Sequence, residues 1–157
     1  MSEKKLAKIN VLYIDDEVNN LEAFKSSFRR FYKIFIASSA VEGRKILEEN
    51  EIEVILTDQR MPEITGVEFL ESIIVKYPNP MRILVTGYTD IEAVIDAVNK
   101  GNIFKYVSKP WNTDDLKKII DTASEIYRLR KRKDKLTSDL LLVNSQIEFM
   151  LRQKLIS

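Results

Sequence analysis

Three aspartates stand where apolar runs of strand length break off: Asp15 and Asp16 after Ile9-Asn10-Val11-Leu12-Tyr13-Ile14, and Asp58 after Val54-Ile55-Leu56-Thr57. Two further runs end in other polar groups, Arg82-Ile83-Leu84-Val85 in Thr86, and Ile103-Phe104-Lys105-Tyr106-Val107 in Ser108 and Lys109. A carboxylate at a strand end is a metal ligand, a nucleophile or a helix cap, and its neighbours decide between these. Three carboxylates gathered in one crevice do not all ionise cheaply unless a cation sits among them. The chain has no His and no Cys, so the available ligands are oxygens. That donor set favours a hard ion, and Mg2+ suits it because it needs few carboxylates and keeps waters for a phosphate ligand. Lys109 supplies a fixed positive charge and Thr86 a hydroxyl donor. These are the groups an aspartyl phosphate needs: Asp58 as nucleophile, the cation and Lys109 to neutralise the transferring phosphoryl oxygens, and Thr86 to hydrogen-bond one of them. A carboxylate nucleophile requires no general base, which fits the absence of His.

This chemistry depends on the elements that carry the five positions to one place. Val18 to Arg30 has Leu21, Phe24 and Phe28 at helical spacing, and Tyr32 to Ala37 is short and β-rich. Ser38 or Ser39 can cap a helix through Val41, Ile46 and Leu47 that ends near Asn50. The Met61-Pro62 pair stops the strand that delivers Asp58, and Gly66 precedes a helix with Val67, Leu70, Ile73 and Ile74 on its apolar side, closed by Tyr77-Pro78-Asn79-Pro80. Asp90 can cap a helix through Ile91, Val94, Ile95 and Val98, which Gly101 terminates, and Asn112 or Thr113 starts the last helix. Five apolar strands alternating with five helices predict an α/β fold, a doubly wound parallel sheet covered on both faces. In such a sheet the strands point one way, so the residues just past their ends converge on a single rim.

Composition narrows the setting. A chain of 157 residues holds one ordinary domain and some remainder, and 45% hydrophobic residues with 4 Gly and 4 Pro argue against extended disorder. The lack of Cys excludes disulfide staples and thiolate metal sites. No apolar run approaches membrane-spanning length and the N-terminus lacks a signal-like segment, so a cytoplasmic protein with no membrane partner is expected. The net charge of +1 hides an asymmetry: residues 126–157 carry 8 Lys and Arg against 3 Asp and Glu, and residues 1–125 carry 17 against 21.

The motifs Leu12-Tyr13-Ile14-Asp15-Asp16-Glu17, Leu56-Thr57-Asp58-Gln59-Arg60-Met61-Pro62 with Gly66, Val85-Thr86-Gly87 and Tyr106-Val107-Ser108-Lys109-Pro110-Trp111 occur in order, each at a strand end. In this respect residues 8–125 resemble the receiver domain of a bacterial two-component response regulator. The resemblance implies a flavodoxin-like five-stranded sheet of order 2-1-3-4-5 and phosphoryl transfer from a sensor histidine kinase to Asp58. It implies Asp15 and Asp16 as the acidic pair, Asp16 and Asp58 as direct Mg2+ ligands, and the Arg60 backbone carbonyl as another. Thr86 and Tyr106 match the switch pair, in which the hydroxyl moves toward the phosphoryl group and the ring turns inward. The Lys109-Pro110 bond is commonly cis in this family. Such a chain is a regulatory phosphoacceptor rather than an enzyme acting on a separate substrate. Arg60 and Tyr88, two residues past Asp58 and Thr86, are bulky enough to hinder an attacking water and lengthen the phosphoryl lifetime. Trp111 is assigned to packing.

Past the receiver, Ile126, Leu129, Lys133, Leu136, Leu140, Val143, Ile147 and Met150 repeat at alternating spacings of 3 and 4, and seven of the eight are apolar. That is a coiled-coil seam, and the last receiver helix is expected to run into it, giving a receiver at 1–125 and a helical extension at 126–157. A lone helix with such a seam needs a partner, and a second copy making a homodimer is the nearest candidate. The basic run Arg128 to Lys135 reads as a solvated linker; nucleic acid is a less favoured partner because no aromatics interleave and no helix-turn-helix follows. The end, Lys154-Leu155-Ile156-Ser157, carries no Gly or Pro stop signal, which suggests a frayed terminus or a longer protein whose output domain lies beyond. The motif wording resembles receivers with enzymatic outputs such as cyclic-dinucleotide or phosphatase modules. A second reading makes the coil the purpose of the chain, an interaction module with little phosphoryl turnover.

Overall fold

In the computed structural model, which describes residues 7–87 and 91–156, strands and helices alternate along the chain. They are β1 Asn10–Ile14, α1 Val18–Phe28, β2 Lys33–Ala37, α2 Ala40–Glu49, β3 Val54–Asp58, α3 Gly66–Ile73, β4 Met81–Thr86, α4 Ile91–Asn99, β5 Lys105–Ser108 and α5 Thr113–Ile156. The strands form one parallel sheet of order β2-β1-β3-β4-β5. This is the doubly wound flavodoxin-like order expected above. The order reverses between β1 and β3, which opens a crevice at their carboxyl ends.

The near-continuous apolar character of the central strands follows from burial on both faces. Along β1, Val11 and Tyr13 face a core built with Leu21, Phe24 and Phe28 of α1 and Leu116, Ile120 and Ala123 of α5. Leu12 and Ile14 face the opposite core, built with Leu47 of α2, Phe69, Leu70 and Ile73 of α3, and Val94 and Ala97 of α4. The alternation sends successive side chains to opposite faces, so Tyr13 and Asp15 lie on one side of the sheet.

Local signals place the helix starts. Ser39 caps α2, its hydroxyl accepting from the Glu42 N–H, while the Glu42 carboxylate accepts from the Ser38 N–H at 2.8 Å. Thr65 caps α3 through the Glu68 N–H, and the Asn112 side chain accepts from the Asp115 N–H at 3.1 Å. The expected Asp90 cap lies outside the described residues. The expected start of the fifth strand is corrected. β5 begins at Lys105 and not at Ile103, because its ladder with β4 starts at the pair Ile83 and Lys105; Ile103, ahead of the strand, is buried in the second core. Ile91 and Ile95 of α4 are exposed, 52% and 44%, with Val94 and Ala97 buried instead. α4 lies at the sheet edge against α3 and β5, so its buried stripe is narrower than its apolar pattern.

The chain divides into two compact units, the first running through Tyr127 and the second from Arg128. Within the first, Ile126 packs against the α1–α5 core, and the Tyr127 hydroxyl donates to Glu51 Oε1 at 2.9 Å. The Tyr32 hydroxyl donates to Asp121 Oδ1 at 2.6 Å. The second unit is helical, with every described residue exposed, including Leu129, Leu136, Leu140, Val143, Ile147 and Met150 of the seam. Leu141, Leu142 and Phe149 are also exposed apolar residues there, outside the 3–4 repeat. Among the described residues, no helix is long and apolar enough to cross a membrane.

Candidate functional site

Asp58 closes β3 and Asp15 follows β1, so the parallel pairing of these neighbours carries both carboxyls to the same rim. Asp15 is fully buried, Asp58 is 8% exposed, and Asp16 beside them is exposed. Carboxylate oxygens of the three lie within 4.8 Å of one another. Lys109, one residue past β5, is tied to β4 by its backbone N–H donating to Thr86 O at 2.9 Å, and the Lys109-Pro110 bond is cis. Its ammonium reaches across the rim, 3.0 Å from Asp15 Oδ2 and 3.1 Å from Asp58 Oδ1.

The two buried carboxylates are held by hydrogen bonds. Asp15 Oδ1 accepts from the Glu17 N–H at 2.9 Å, and Oδ2 accepts from the Tyr13 hydroxyl at 2.7 Å, Lys109 at 3.0 Å and the Asn20 amide at 3.1 Å. Asp58 Oδ1 accepts from the Gln59 N–H at 2.9 Å as well as from Lys109. Behind Asp58, Gly66 starts α3 with its Cα face against the Asp58 carbonyl. Gln59, 4% exposed, anchors that helix by accepting from the Gly66 N–H on its backbone oxygen and from the Val67 N–H on its side-chain oxygen, both at 3.0 Å.

The electrostatics differ between the two buried acids. Burial pushes the Asp15 carboxyl up, but the hydrogen bonds from Glu17, Tyr13 and Lys109 outweigh it and hold Asp15 below the usual carboxylate range. Asp58 is raised: burial dominates, the charge of Asp15 adds to it, and Lys109 and the Gln59 N–H only partly offset them. Burial works against the Lys109 charge, yet its bonds to Asp15 and Asp58 raise its pKa. An all-oxygen cluster with two acids buried, one of them raised by that burial, suits a hard divalent cation. Such an ion would be held by these three carboxylates.

Asp15, Asp16, Asp58 and Lys109 are therefore brought together. Thr86 lies at the same rim, 6% exposed, but its hydroxyl donates to Gly87 O at 2.7 Å. Tyr106 on β5 is turned out, 42% exposed. Arg60 is exposed at the rim, and Tyr88 lies outside the described residues. Trp111 packs edge-on against Tyr13 and Phe24, with ring centroids 6.0 Å apart in both pairs. Sequence reasoning missed Tyr13, Asn20 and Gln59. Tyr13 had a signal: a phenol two residues before an aspartate on one strand shares its face.

The family model for the response regulator receiver domain matches residues 11–121. The hydrogenase transcriptional regulatory protein HoxA of Cupriavidus necator is 38% identical over 130 residues, covering 83% of this chain and 26% of that protein. HoxA of Bradyrhizobium diazoefficiens is 33% identical over 138 residues, covering 88% and 28%. The chain thus spans little more than a quarter of the length of these curated relatives. Among solved structures, a response regulator receiver domain protein from Clostridium thermocellum superposes with a TM-score of 0.73 at 33% identity, covering 77% of this chain and 98% of that one.

Proposed function

This chain belongs to the response regulator receiver domain family, and on that premise we propose that it is the phosphoacceptor of a two-component phosphorelay, with Asp58 taking a phosphoryl group from a histidine of a sensor kinase. The observation that carries this reading is the single ammonium of Lys109 shared between buried Asp15 and Asp58, beside the third carboxylate of Asp16. A carboxylate oxygen of Asp58 forms the bond to phosphorus as the P–N bond to the kinase imidazole breaks, its electron pair leaving with the nitrogen. No base is needed, because Asp58 attacks as the anion. Lys109 then pairs with a phosphoryl oxygen in place of the Asp58 oxygen it now holds. The Thr86 hydroxyl exchanges Gly87 O for another phosphoryl oxygen, and Tyr106 turns inward. Asp15, Asp16, Asp58 and the Arg60 carbonyl would hold Mg2+, which when bound neutralises charge on the carboxylates and the phosphoryl group. The chain is a regulatory phosphoacceptor and not an enzyme with its own substrate.

The residues beyond 125 form the second part of the proposal: a helical coiled-coil extension that dimerises in the cytoplasm. The exposed seam from Leu129 to Met150 supports it. The output is proposed to be control of transcription, as the HoxA names state for those proteins, with DNA contacted elsewhere than in this chain. The exposed seam equally favours a second reading, an interaction module whose coil dimerises a receiver with little turnover.

Intact-mass spectrometry after incubation with Mg2+ and acetyl phosphate separates the two. One phosphoryl adduct on the wild type and none on Asp58→Asn supports the phosphoacceptor; no adduct on either leaves the interaction module. Light scattering with and without beryllium fluoride then shows whether the dimer is constitutive or phosphoryl-dependent.

A further inference from the structure

Tyr13 lies in the core of the receiver unit, fully buried, its ring 4.5 Å from that of Phe24. Packing alone would be served by phenylalanine. The hydroxyl has a different partner, Asp15 Oδ2 at 2.7 Å, the shortest of the bonds that reach that oxygen. A buried phenol must find an acceptor, and the acceptor here is a carboxylate of the acidic cluster. The same ring packs against Trp111, two residues past Lys109. One side chain therefore touches both the Asp15 carboxylate and the loop that carries the ammonium.

We propose that Tyr13 is a positioning residue of the site: its hydroxyl fixes the rotation of the Asp15 carboxylate, so that the acidic cluster is ordered before a cation or phosphoryl group arrives. The proposal rests on the phosphoacceptor reading above. Three donors occupy Asp15 Oδ2, from Tyr13, Asn20 and Lys109, and they come from β1, α1 and the segment after β5. That oxygen is committed to the protein. Oδ1 carries only the Glu17 N–H. Without the phenol, the carboxylate loses its shortest restraint, and ordering it becomes part of the cost of binding a cation. Hydrogen-bond partners of this kind are worth on the order of tenfold or more in metal affinity.

The test is a Mg2+ titration of the full chain by calorimetry, on the wild type, Tyr13→Phe and Tyr32→Phe. Tyr32 is the matched control: its hydroxyl also donates to a carboxylate, Asp121 at 2.6 Å, but away from the acidic cluster. Tyr13→Phe is expected to weaken Mg2+ binding about tenfold, with the same extent of phosphorylation at saturating Mg2+. Tyr32→Phe is expected to lower the melting temperature and leave Mg2+ affinity unchanged. Wild-type affinity in Tyr13→Phe, or equal weakening in both variants, overturns the assignment while leaving the phosphoacceptor reading intact. A wild type that neither binds Mg2+ nor accepts phosphoryl overturns that reading and this assignment with it.

Discussion

Replacing Gly66 by alanine perturbs the site without altering a single charge. A Cβ at Gly66 would collide with the Asp58 carbonyl oxygen, and would lie 2.7 Å from Leu84 Cδ1 and 3.0 Å from the Asp58 carbonyl carbon. Ordinary carbon contacts are about 3.5–4.0 Å, so the start of α3 and the end of β3 must separate by roughly 1 Å. The Leu84 methyl can turn aside. The Asp58 backbone cannot, because it is paired in register with Val85 of β4. Overpacking of this kind costs about 1–3 kcal/mol, and alanine's better helix propensity returns at most about 1 kcal/mol. A net loss of about 2 kcal/mol is expected by urea denaturation. Displacing the nucleophile by this much should slow phosphorylation from acetyl phosphate on the order of 100-fold. Gly87→Ala is the comparator, since a Cβ there meets nothing within 4 Å, and its stability should stay within about 0.5 kcal/mol of wild type. A Gly66→Ala protein with wild-type midpoint and rate would refute the reasoning, as would an equal loss at Gly87.

Four other outcomes are expected. Lys109→Met strips the buried acids of their shared ammonium and should destabilise the metal-free protein by about 2–4 kcal/mol, the lower figure allowing for the partial exposure of Lys109; denaturation midpoints should recover in part with Mg2+. The raised Asp58 carboxyl binds protons more readily folded than unfolded, so the metal-free wild type should lose stability relative to Asp58→Asn as pH rises from the ordinary carboxylate value near ~4 through the folded one. Asp15, held low, acts oppositely and contributes stability that disappears only as pH falls below that range; melting curves against pH measure both slopes. Lys133→Leu fills the one charged seam position of the proposed coil and should tighten the dimer by about 2 kcal/mol per buried side chain in sedimentation equilibrium, whereas unchanged mass would argue against the seam. Alanine at Arg60 and Tyr88 should speed loss of the phosphoryl group severalfold, measured by decay of the adduct, and an unchanged decay removes the shielding role.

The alternation of strand and helix, and the polar residues that end each strand, were fully legible in the sequence, because hydrophobic periodicity and Pro, Gly and Ser signals are local. In a parallel sheet that pattern by itself brings Asp15, Asp58 and Lys109 to one rim. The receiver resemblance rested on the same residues, since the chemistry demands those types at those strand ends. What the sequence left open was decided by packing between distant segments. The sequence places Ile91, Val94, Ile95 and Val98 on one helix without saying which are buried, and the fold buries Val94 while leaving Ile91 and Ile95 exposed. Ile103 reads as strand, yet the pairing of β5 with β4 starts only at Lys105. Tyr13 reads as one residue of a six-residue strand run until Phe24, Trp111 and Asp15 are folded around it. Only then do the ring and the hydroxyl acquire separate partners. Gln59 is a linker residue in the sequence and the anchor of α3 in the fold. The difference is physical: local pattern specifies which residues can lie on a face or at a strand end, whereas orientation, burial and hydrogen-bond partner are set by whichever elements the sheet order brings alongside.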